Sequence, residues 1–324
     1  MIPNQWYPIL ESKKLRRRPV ALTRMGESLA LWRDGDGRAV VMRDRCPHRG
    51  VALSGGRVRD GQIECPYHGF RYRRDGECSF MPCEGRDAKI PAGMRAHVYQ
   101  TREAHGLVWL FWSEAFEGAL PEIPWFEAAA DERRGGGGSA VHWPQNYVRT
   151  LETNFDIHHL PFVHKALVLG AGARIDPYQV EVEGNHIRTW GTLRREDRET
   201  GIDFRVEFKA PSITLLELSP RLLFVVADCP IDEQNTWRYA RYYQDYVTVP
   251  GLHGLLSWFA LQLDWKLFQV RQDLRVVGTQ EPRLPDQERD RLVRADGGTA
   301  AYLKLRRKLL AEAGQAPTGL LRSA

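Results

Sequence analysis

The chain has 324 residues, of which 43% are apolar and 27% charged, a balance that allows two moderate folded cores. Its net charge is +5, but no helix-turn-helix, finger or RNA-binding signature accompanies the basic residues, so we predict no nucleic-acid partner. The longest apolar stretch, 252–263, contains His253 and Ser257 and is too short to span a bilayer, and the N-terminus lacks a secretory leader pattern. Because the five cysteines lack framework spacing, we expect a cytoplasmic protein.

Short apolar segments predict strands in the first third of the chain. Residues 29–32, 39–42 and 106–112 are aliphatic or aromatic, and turn-forming or polar residues bound them. The Asp-Gly-Asp-Gly sequence at 34–37 suits a hairpin turn. We therefore predict an all-β N-terminal domain at residues 1–118.

The remaining residues, 119–324, predict a second domain that contains both strands and helices. It opens with Arg-Arg-Gly-Gly-Gly-Gly-Ser at 133–139, which predicts a flexible linker or loop tip. Two helices are predicted near the end, at 252–280 and 299–313. Between these features, apolar patterning predicts strands around 180–190, 204–208, 213–218, 222–227 and 236–243.

Two short loops carry a paired cysteine and histidine motif. Cys46-Pro-His48-Arg-Gly is followed, after a gap, by Cys65-Pro-Tyr-His68-Gly. Two thiolates and two imidazoles are the ligands of a 2Fe–2S centre in which the cysteines bind one iron and the histidines bind the other. Structural zinc is the alternative, but zinc fingers usually take two cysteines from one half of the site and two histidines from the other.

A second cluster follows at residues 151–164. Glu152, Asp156, His159 and His164 form the pattern Glu-x3-Asp-x2-His-x4-His. Two imidazoles five residues apart on a helical segment can converge on one metal if the helix is distorted, and Pro161 predicts such a distortion. A carboxylate from elsewhere would complete a 2-His-1-carboxylate site for mononuclear iron.

Together the two motifs resemble those of Rieske non-haem iron oxygenases, the α-subunit family of aromatic ring-hydroxylating oxygenases, in its single-subunit branch of monooxygenases and demethylases. The resemblance implies an α+β fold, with an N-terminal all-β Rieske domain followed by a helix-grip (START-like) catalytic domain with an antiparallel sheet. The family spacing selects His159 over His158 as an iron ligand. The segment 272–282 resembles the family's acid-bearing late helix, which selects Asp273 over Asp264 as the third ligand.

The resemblance also implies how electrons travel. Asp156 would not bind iron but would link His68 of one subunit to His159 of the next, within a homotrimer. Many family members have asparagine three residues before this aspartate; here that residue is Thr153, and Asn154 is shifted by one. A side-chain amide near the iron is therefore an open question.

The implied function is that of a terminal oxygenase component. It would use dioxygen and electrons from a separate reductase or ferredoxin to hydroxylate or oxidatively dealkylate an aromatic, heterocyclic or natural-product substrate. No dinucleotide-binding motif or flavin site is evident, so we expect neither NAD nor flavin on this chain. The alternatives are a cis-dihydroxylating dioxygenase and a non-catalytic Rieske electron carrier. Guesses for the pocket wall are Phe155, Phe162, Phe208 and Trp258, although core packing is the preferred interpretation of each.

Overall fold

The computed structural model describes residues 1–314 except 86, 114–115, 131–134, 166–171, 197–200, 220, 248, 250–251, 282 and 285–289. The chain divides into two compact units, Pro3–Pro121 and Glu122–Leu320. The predicted α+β fold, built mainly from antiparallel sheets, is confirmed. The predicted domain boundary after residue 118 stays a prediction.

The first unit is built from three small antiparallel sheets, with strand orders β1-β11-β10, β2-β3-β4-β9 and β5-β6-β7-β8. Its strands are β1 Gln5–Glu11, β2 Val20–Arg24, β3 Glu27–Arg33, β4 Ala39–Arg43, β5 Arg57–Arg59, β6 Gln62–Glu64, β7 Arg71–Tyr72, β8 Cys78–Phe80, β9 Val98–Tyr99, β10 Thr101–Ala104 and β11 Leu107–Trp112. Short 3₁₀ turns lie at Ser12–Lys14, Leu53–Gly55 and Pro82–Glu84. The predicted hairpin turn joins β3 to β4, where the Asp34 carboxylate accepts hydrogen bonds from the backbone N–H groups of Asp36 and Arg38.

The two cysteine loops are attached to the hydrophobic core of this unit. One core cluster contains Trp32 and Met42 from β3 and β4, together with Tyr72 from β7. Cys46 and Cys65 belong to the same cluster. Because densely packed side chains have little freedom to move, the core fixes where both thiols lie.

The second unit contains a seven-stranded antiparallel sheet of order β12-β18-β17-β16-β15-β14-β13. Its strands are β12 Gly135–Trp143, β13 Arg174–Glu183, β14 His186–Arg194, β15 Gly201–Lys209, β16 Ile213–Ser219, β17 Leu222–Pro230 and β18 Thr236–Gln244. The segment predicted as one strand around 180–190 is two strands, β13 and β14, that meet in a hairpin with Gly184 at positive φ.

Helices complete the second unit. They are α1 Glu127–Ala130, α2 Tyr147–Phe155, α3 Leu160–Val163, α4 Leu252–Asp264, a π-helix Trp265–Asp273, α5 Leu274–Val277 and α6 Gly297–Glu312, with a 3₁₀ turn at Arg294–Asp296. The helix predicted at 252–280 is thus three successive helical segments, and the one predicted at 299–313 is α6. Within the described residues, no helix is long and apolar enough to cross a membrane.

The prediction of a flexible linker at 133–139 is wrong where the structure describes it. Residues 135–139 begin strand β12, which pairs along its length with β18. A Cβ atom on Gly137 would lie 2.3 Å from the backbone nitrogen of Trp258 in α4 and 2.6 Å from the carbonyl oxygen of Gly254. Gly137 therefore allows α4 to pack closely on the strand, which is a recognised use of glycine in a sheet. Residues 133 and 134 lie outside the described part of the chain.

One face of β17 holds helices from both ends of the unit. Phe224 and Val226 pack in a core cluster with Leu261 of α4 and Trp265 of the π-helix. Two residues further along the strand, and therefore on the same face, Asp228 meets α2. Helix α6 reaches the sheet through Tyr302, which contacts rings from α2 and β15, Phe155 and Phe208.

A buried polar network fastens α2 to the sheet. The side-chain amide of Asn154 donates to the Asp228 carboxylate at 3.0 Å and to the Thr214 hydroxyl at 3.1 Å, and its oxygen accepts from Arg238. Arg238 also lies 3.5 Å from Asp228 as an ion pair, with exposures of 6% and 0%. Burial raises the pKa of Asp228, and Arg238 and Asn154 act against that rise. The charge of Asp228 therefore depends on these two partners.

Removing the cation from this network should strongly destabilise the protein. Replacing one partner of a buried ion pair typically costs about 3–5 kcal/mol, because the other charge stays buried and unpaired. We expect this loss for Arg238→Met in urea unfolding. The matched control is Arg221→Met, which breaks an exposed pair with Asp245 and should cost under ~1 kcal/mol. Equal losses in the two variants would contradict a special role for the buried network.

Candidate metal centres

The two cysteine loops are closed by the same pair of backbone hydrogen bonds. In each loop the cysteine N–H donates to the carbonyl oxygen five residues later, Cys46 to Val51 and Cys65 to Phe70, at 2.8 Å in both cases. A glycine N–H then donates back to the cysteine carbonyl oxygen, at 2.8 Å in the first loop and 3.0 Å in the second. These glycines have φ of +74° and +71°, values that favour glycine. The loops are therefore near-copies in backbone conformation as well as in sequence.

The four predicted cluster ligands separate into an inner and an outer pair. Cys46 and Cys65 are 2% and 3% exposed as residues. Burial raises the pKa of the Cys65 thiol, with a further contribution from the adjacent Cys46. The rings of His48 and His68 lie 4.8 Å apart between centroids, with His48 exposed and His68 partly exposed. Two sulfurs on one side and two imidazoles on the other fit a 2Fe–2S centre with one pair on each iron.

Two aromatic residues that sequence reasoning missed contact these ligands. The Tyr72 hydroxyl lies 3.1 Å from Cys46 Sγ in the core. When that sulfur is a thiolate it has no proton, so the hydroxyl must be the donor. Phe70 stacks on His48, with ring centroids 4.7 Å apart. Both follow the second loop directly in the sequence, but their contacts reach the first loop, so no spacing rule predicts them.

The second motif does not form one continuous helix. Helix α2 ends at Phe155, and Asp156 has an extended backbone conformation with φ −77° and ψ 97°. The Asp156 carboxylate then accepts a hydrogen bond from the His159 N–H at 3.1 Å, just before α3 begins. Pro161 lies in the first turn of α3, where backbone N–H groups have no partner within the helix, so the N–H that proline lacks is not missed. The predicted distortion is therefore present but lies before His159 rather than at Pro161.

The structure brings His159, His164 and Asp273 together. One ligand atom from each residue lies within 4.8 Å of the others, the one such group among the described His, Cys, Asp and Glu side chains. Asp273 Oδ1 is 2.8 Å from His164 Nε2 and 3.8 Å from His159 Nε2. Two imidazole nitrogens and a carboxylate oxygen at this spacing fit the donor set of a mononuclear iron site.

Asp273 reaches the histidines from an unusual helical segment. It is the last residue of the π-helix Trp265–Asp273, and π-helical turns are frequent at functional sites. Asp264, the alternative that the sequence left aside, does not belong to the group of three. Its side chain is partly buried; burial raises the pKa of Asp264, and the carboxyl group interacts with Gln269 and Tyr242.

The predicted bridging acid lies beside both adjacent histidines. Asp156 Oδ1 is 3.4 Å from His159 Nδ1 and 3.2 Å from His158 Nδ1. Burial alone would raise the pKa of Asp156, but the interactions with His159 and His158 outweigh burial and lower it. Asp156 is therefore a carboxylate that faces the outer nitrogen of His159, while His158 is not in the group of three.

Other sequence-based guesses meet different outcomes. Asn154 uses its amide on the sheet network described above, so it does not supply an amide to the three clustered residues. Phe155 and Phe208 are core residues that contact each other, with centroids 5.5 Å apart. Phe162 and Trp258 are 63% and 42% exposed. The pocket wall therefore stays unassigned.

Comparison with known proteins identifies the first unit. The Rieske [2Fe-2S] domain family matches residues 5–99. Residues 5–99 are a Rieske domain. Such a domain carries a 2Fe–2S cluster, and the two loops that contain Cys46, His48, Cys65 and His68 are its candidate ligands.

Relatives and solved structures extend the likeness beyond that domain. The chain is 32% identical over 198 residues to the chloroplastic protein TIC 55 of Pisum sativum, covering 60% of this chain and 32% of that protein. It is 32% identical over 184 residues to the methylxanthine N1-demethylase NdmA of Pseudomonas putida, covering 54% and 49%. A solved structure of an NdmA variant with theobromine superposes with a TM-score of 0.78, at 25% identity and coverage of 96% of this chain and 92% of that chain. Beyond the Rieske domain, the chain is therefore similar in sequence and in fold to proteins named as Rieske-type oxygenases and demethylases.

The sequence matches are partial. The chain spans about a third to a half of the length of the curated relatives that it matches. The structural match is close to full length on both sides.

The two metal centres should be separable by mutation. We expect His68→Ala to lose the Rieske electron paramagnetic resonance signal and keep mononuclear iron, because only the first centre loses a ligand. Asp273→Ala should keep the signal and lose mononuclear iron, measured as chelatable iron per chain. Asp264→Ala is the control and should keep both. If Asp264→Ala loses mononuclear iron and Asp273→Ala does not, the carboxylate has been assigned wrongly.

Proposed function

We propose that this chain is the terminal oxygenase component of a Rieske-type system. It would use dioxygen, and electrons from a separate reductase or ferredoxin, to oxidise a small organic substrate by monooxygenation or oxidative dealkylation. The observation that carries this proposal is the group of His159, His164 and Asp273, found in the same chain as a Rieske domain. A pure electron carrier has no use for a second metal site of this kind.

The residues present fit both cofactors. Cys46, His48, Cys65 and His68 would hold the 2Fe–2S cluster, and the group of three described above would hold one Fe(II) ion. When bound, the cluster supplies single electrons and the mononuclear iron supplies dioxygen activation. The protein contributes the positions of the ligands, the tautomers of the histidines and the negative charge of the flanking carboxylates.

Asp156 is proposed to conduct electrons and not to bind iron. Its carboxylate faces the outer nitrogen of His159, which leaves Nε2 of the same ring toward Asp273. In a homotrimer, the same carboxylate would also receive His68 of a neighbouring subunit. A carboxylate between two imidazoles fixes their tautomers and shortens the path for electrons.

Dealkylation is the favoured reaction within this class. NdmA is named as a demethylase, and its structure contains theobromine. In such a reaction a methyl C–H bond is hydroxylated, with one oxygen atom entering the substrate and the other leaving as water after two electrons and two protons are supplied. The hydroxymethyl product then breaks down to formaldehyde and the demethylated compound. Demethylation would therefore release one formaldehyde for each methyl group removed, and formaldehyde can be measured.

Product analysis tests the proposal directly. With a surrogate ferredoxin reductase and a panel of N-methyl and O-methyl aromatic and heterocyclic compounds, we expect substrate-dependent dioxygen uptake with formaldehyde in equal amount. The loaded protein should hold about three iron atoms per chain, whereas a carrier would hold about two. Asp273→Ala is the matched control and should consume no substrate. A cis-diol without formaldehyde would indicate the dihydroxylating alternative, and two iron atoms with no uptake would refute the oxygenase proposal.

Replacing the bridging acid should slow electron transfer without removing either centre. In Asp156→Asn the side chain keeps its size but loses the charge that orients His159. Oxidation of the reduced cluster in single turnover should slow by about 10–100-fold, the usual effect of losing the partner of a ligand histidine. Both iron contents should stay at wild-type levels, which is the control for the metal sites.

Mixed oligomers test whether the transfer crosses subunits. Co-assembly of His68→Ala chains with His159→Ala chains should restore part of the activity that each lacks alone. Well-formed mixed oligomers without recovery would contradict transfer between subunits. An Asp156→Asn protein with wild-type transfer rates would remove the bridge altogether.

A further inference from the structure

Two consecutive residues contact opposite nitrogens of the same imidazole ring. Gln272 Oε1 lies 2.8 Å from His164 Nδ1, and Asp273 Oδ1 lies 2.8 Å from His164 Nε2. His164 itself is 5% exposed, so water has little access to either nitrogen. The amide of Gln272 is therefore the partner of the ring nitrogen that faces away from the proposed iron.

The two ring nitrogens of a neutral histidine have opposite needs. One carries a proton and donates, and the other has a lone pair and accepts or binds a metal. If Nε2 of His164 binds iron beside Asp273, the proton must be on Nδ1, and Nδ1 needs an acceptor. An amide oxygen can only accept, so Gln272 Oε1 selects this tautomer and also fixes the plane of the ring.

The π-helix explains how neighbours in sequence reach one ring. Its i→i+5 hydrogen bonds spread each turn over more residues than an α-helix, so successive side chains diverge by a smaller angle. Gln272 and Asp273 are the last two residues of this segment. A regular α-helix would turn the Gln272 side chain further from the direction of Asp273.

The two histidines of the site thus have chemically different partners. His159 Nδ1 faces the Asp156 carboxylate at 3.4 Å, whereas His164 Nδ1 meets a neutral amide at 2.8 Å. A carboxylate partner raises the basicity of a ligand imidazole more than a neutral acceptor does. The pairing leaves the charged partner on the histidine proposed to receive electrons and gives the other histidine an uncharged one.

We propose that Gln272 is a positioning residue for the mononuclear metal site, holding His164 as the Nδ1–H tautomer with Nε2 directed at the metal. This inference rests on the proposed function, because it takes His164 and Asp273 as metal ligands. It assigns Gln272 no contact with substrate or metal. Its consequence is a metal affinity that depends on an acceptor at position 272.

Metal titration of variants tests this role. Protein freed of mononuclear iron by a chelator, with its Rieske signal intact, is titrated anaerobically with Fe(II) to obtain Kd. Gln272→Met keeps the length of the side chain but has no strong acceptor, and its Kd should rise about 10–100-fold. Gln272→Glu restores an acceptor, and its Kd should stay within several-fold of wild type. Gln272→Leu provides a second variant without an acceptor, should the methionine variant fail to fold.

The matched control is another glutamine of the same helical stretch. Gln262 of α4 donates a hydrogen bond to the Ser139 hydroxyl at 2.8 Å, and Ser139 is not a proposed ligand. Gln262→Met should therefore leave Kd unchanged, and the Rieske signal should be unchanged in every variant. Wild-type Kd values for both Gln272→Met and Gln272→Leu would overturn the inference, as would equal losses in Gln272→Met and Gln272→Glu.

A further variant separates this inference from the proposed function. His164→Ala should abolish tight Fe(II) binding. If it does so while the Gln272 variants bind normally, only the positioning role falls. If His164→Ala binds Fe(II) like wild type, the metal assignment itself is wrong, and the role of Gln272 falls with it.

Discussion

The attachment of helix α2 to the sheet is the constraint on which the candidate iron site depends. Asn154 lies two residues before Asp156, and its amide is held by Asp228 and Arg238, side chains almost wholly removed from water. Burying such charged groups is costly unless each one is paired. Few other placements of helix α2 on the sheet would give Asp228 and Arg238 these partners. The end of α2, and with it the turn that aims His159, is therefore fixed by polar contacts more than by apolar packing.

Local motifs in the sequence predicted more of the metal sites than of the fold around them. The two cysteine loops were predictable because their ligands and their closing hydrogen bonds lie within six residues of one another. The strand at 135–139 was not, because the need for glycine at position 137 comes from the approach of α4, more than a hundred residues later. A run of glycines in a sequence is compatible with a flexible loop and also with close packing of another backbone. Composition alone does not distinguish the two.

The same distinction applies within the iron site. The spacing of His159 and His164 predicted that the helix must be distorted, but Pro161 was a misleading guide because proline is also well suited to a first helical turn. The real break depends on a hydrogen bond from the backbone N–H of His159 to the Asp156 carboxylate. The role of Gln272 could not be predicted from the sequence either. Its partner His164 is 108 positions away, and a π-helix has no simple apolar period that the sequence would show.

The two centres therefore depend on folding in different ways. The proposed cluster ligands come from two loops that each close on themselves, and the two cysteines are members of a single core cluster. The proposed iron ligands come from the segment after α2, at either end of the short helix α3, and from the end of a π-helix. These segments meet only when the sheet holds α2 and the π-helix on one face. Since metal binding stabilises only the arrangement that brings its ligands together, Fe(II) and the buried network around Asp228 should stabilise the same state of the second unit. The buried network of Asn154, Asp228 and Arg238 should therefore hold the two histidines in position in the metal-free protein.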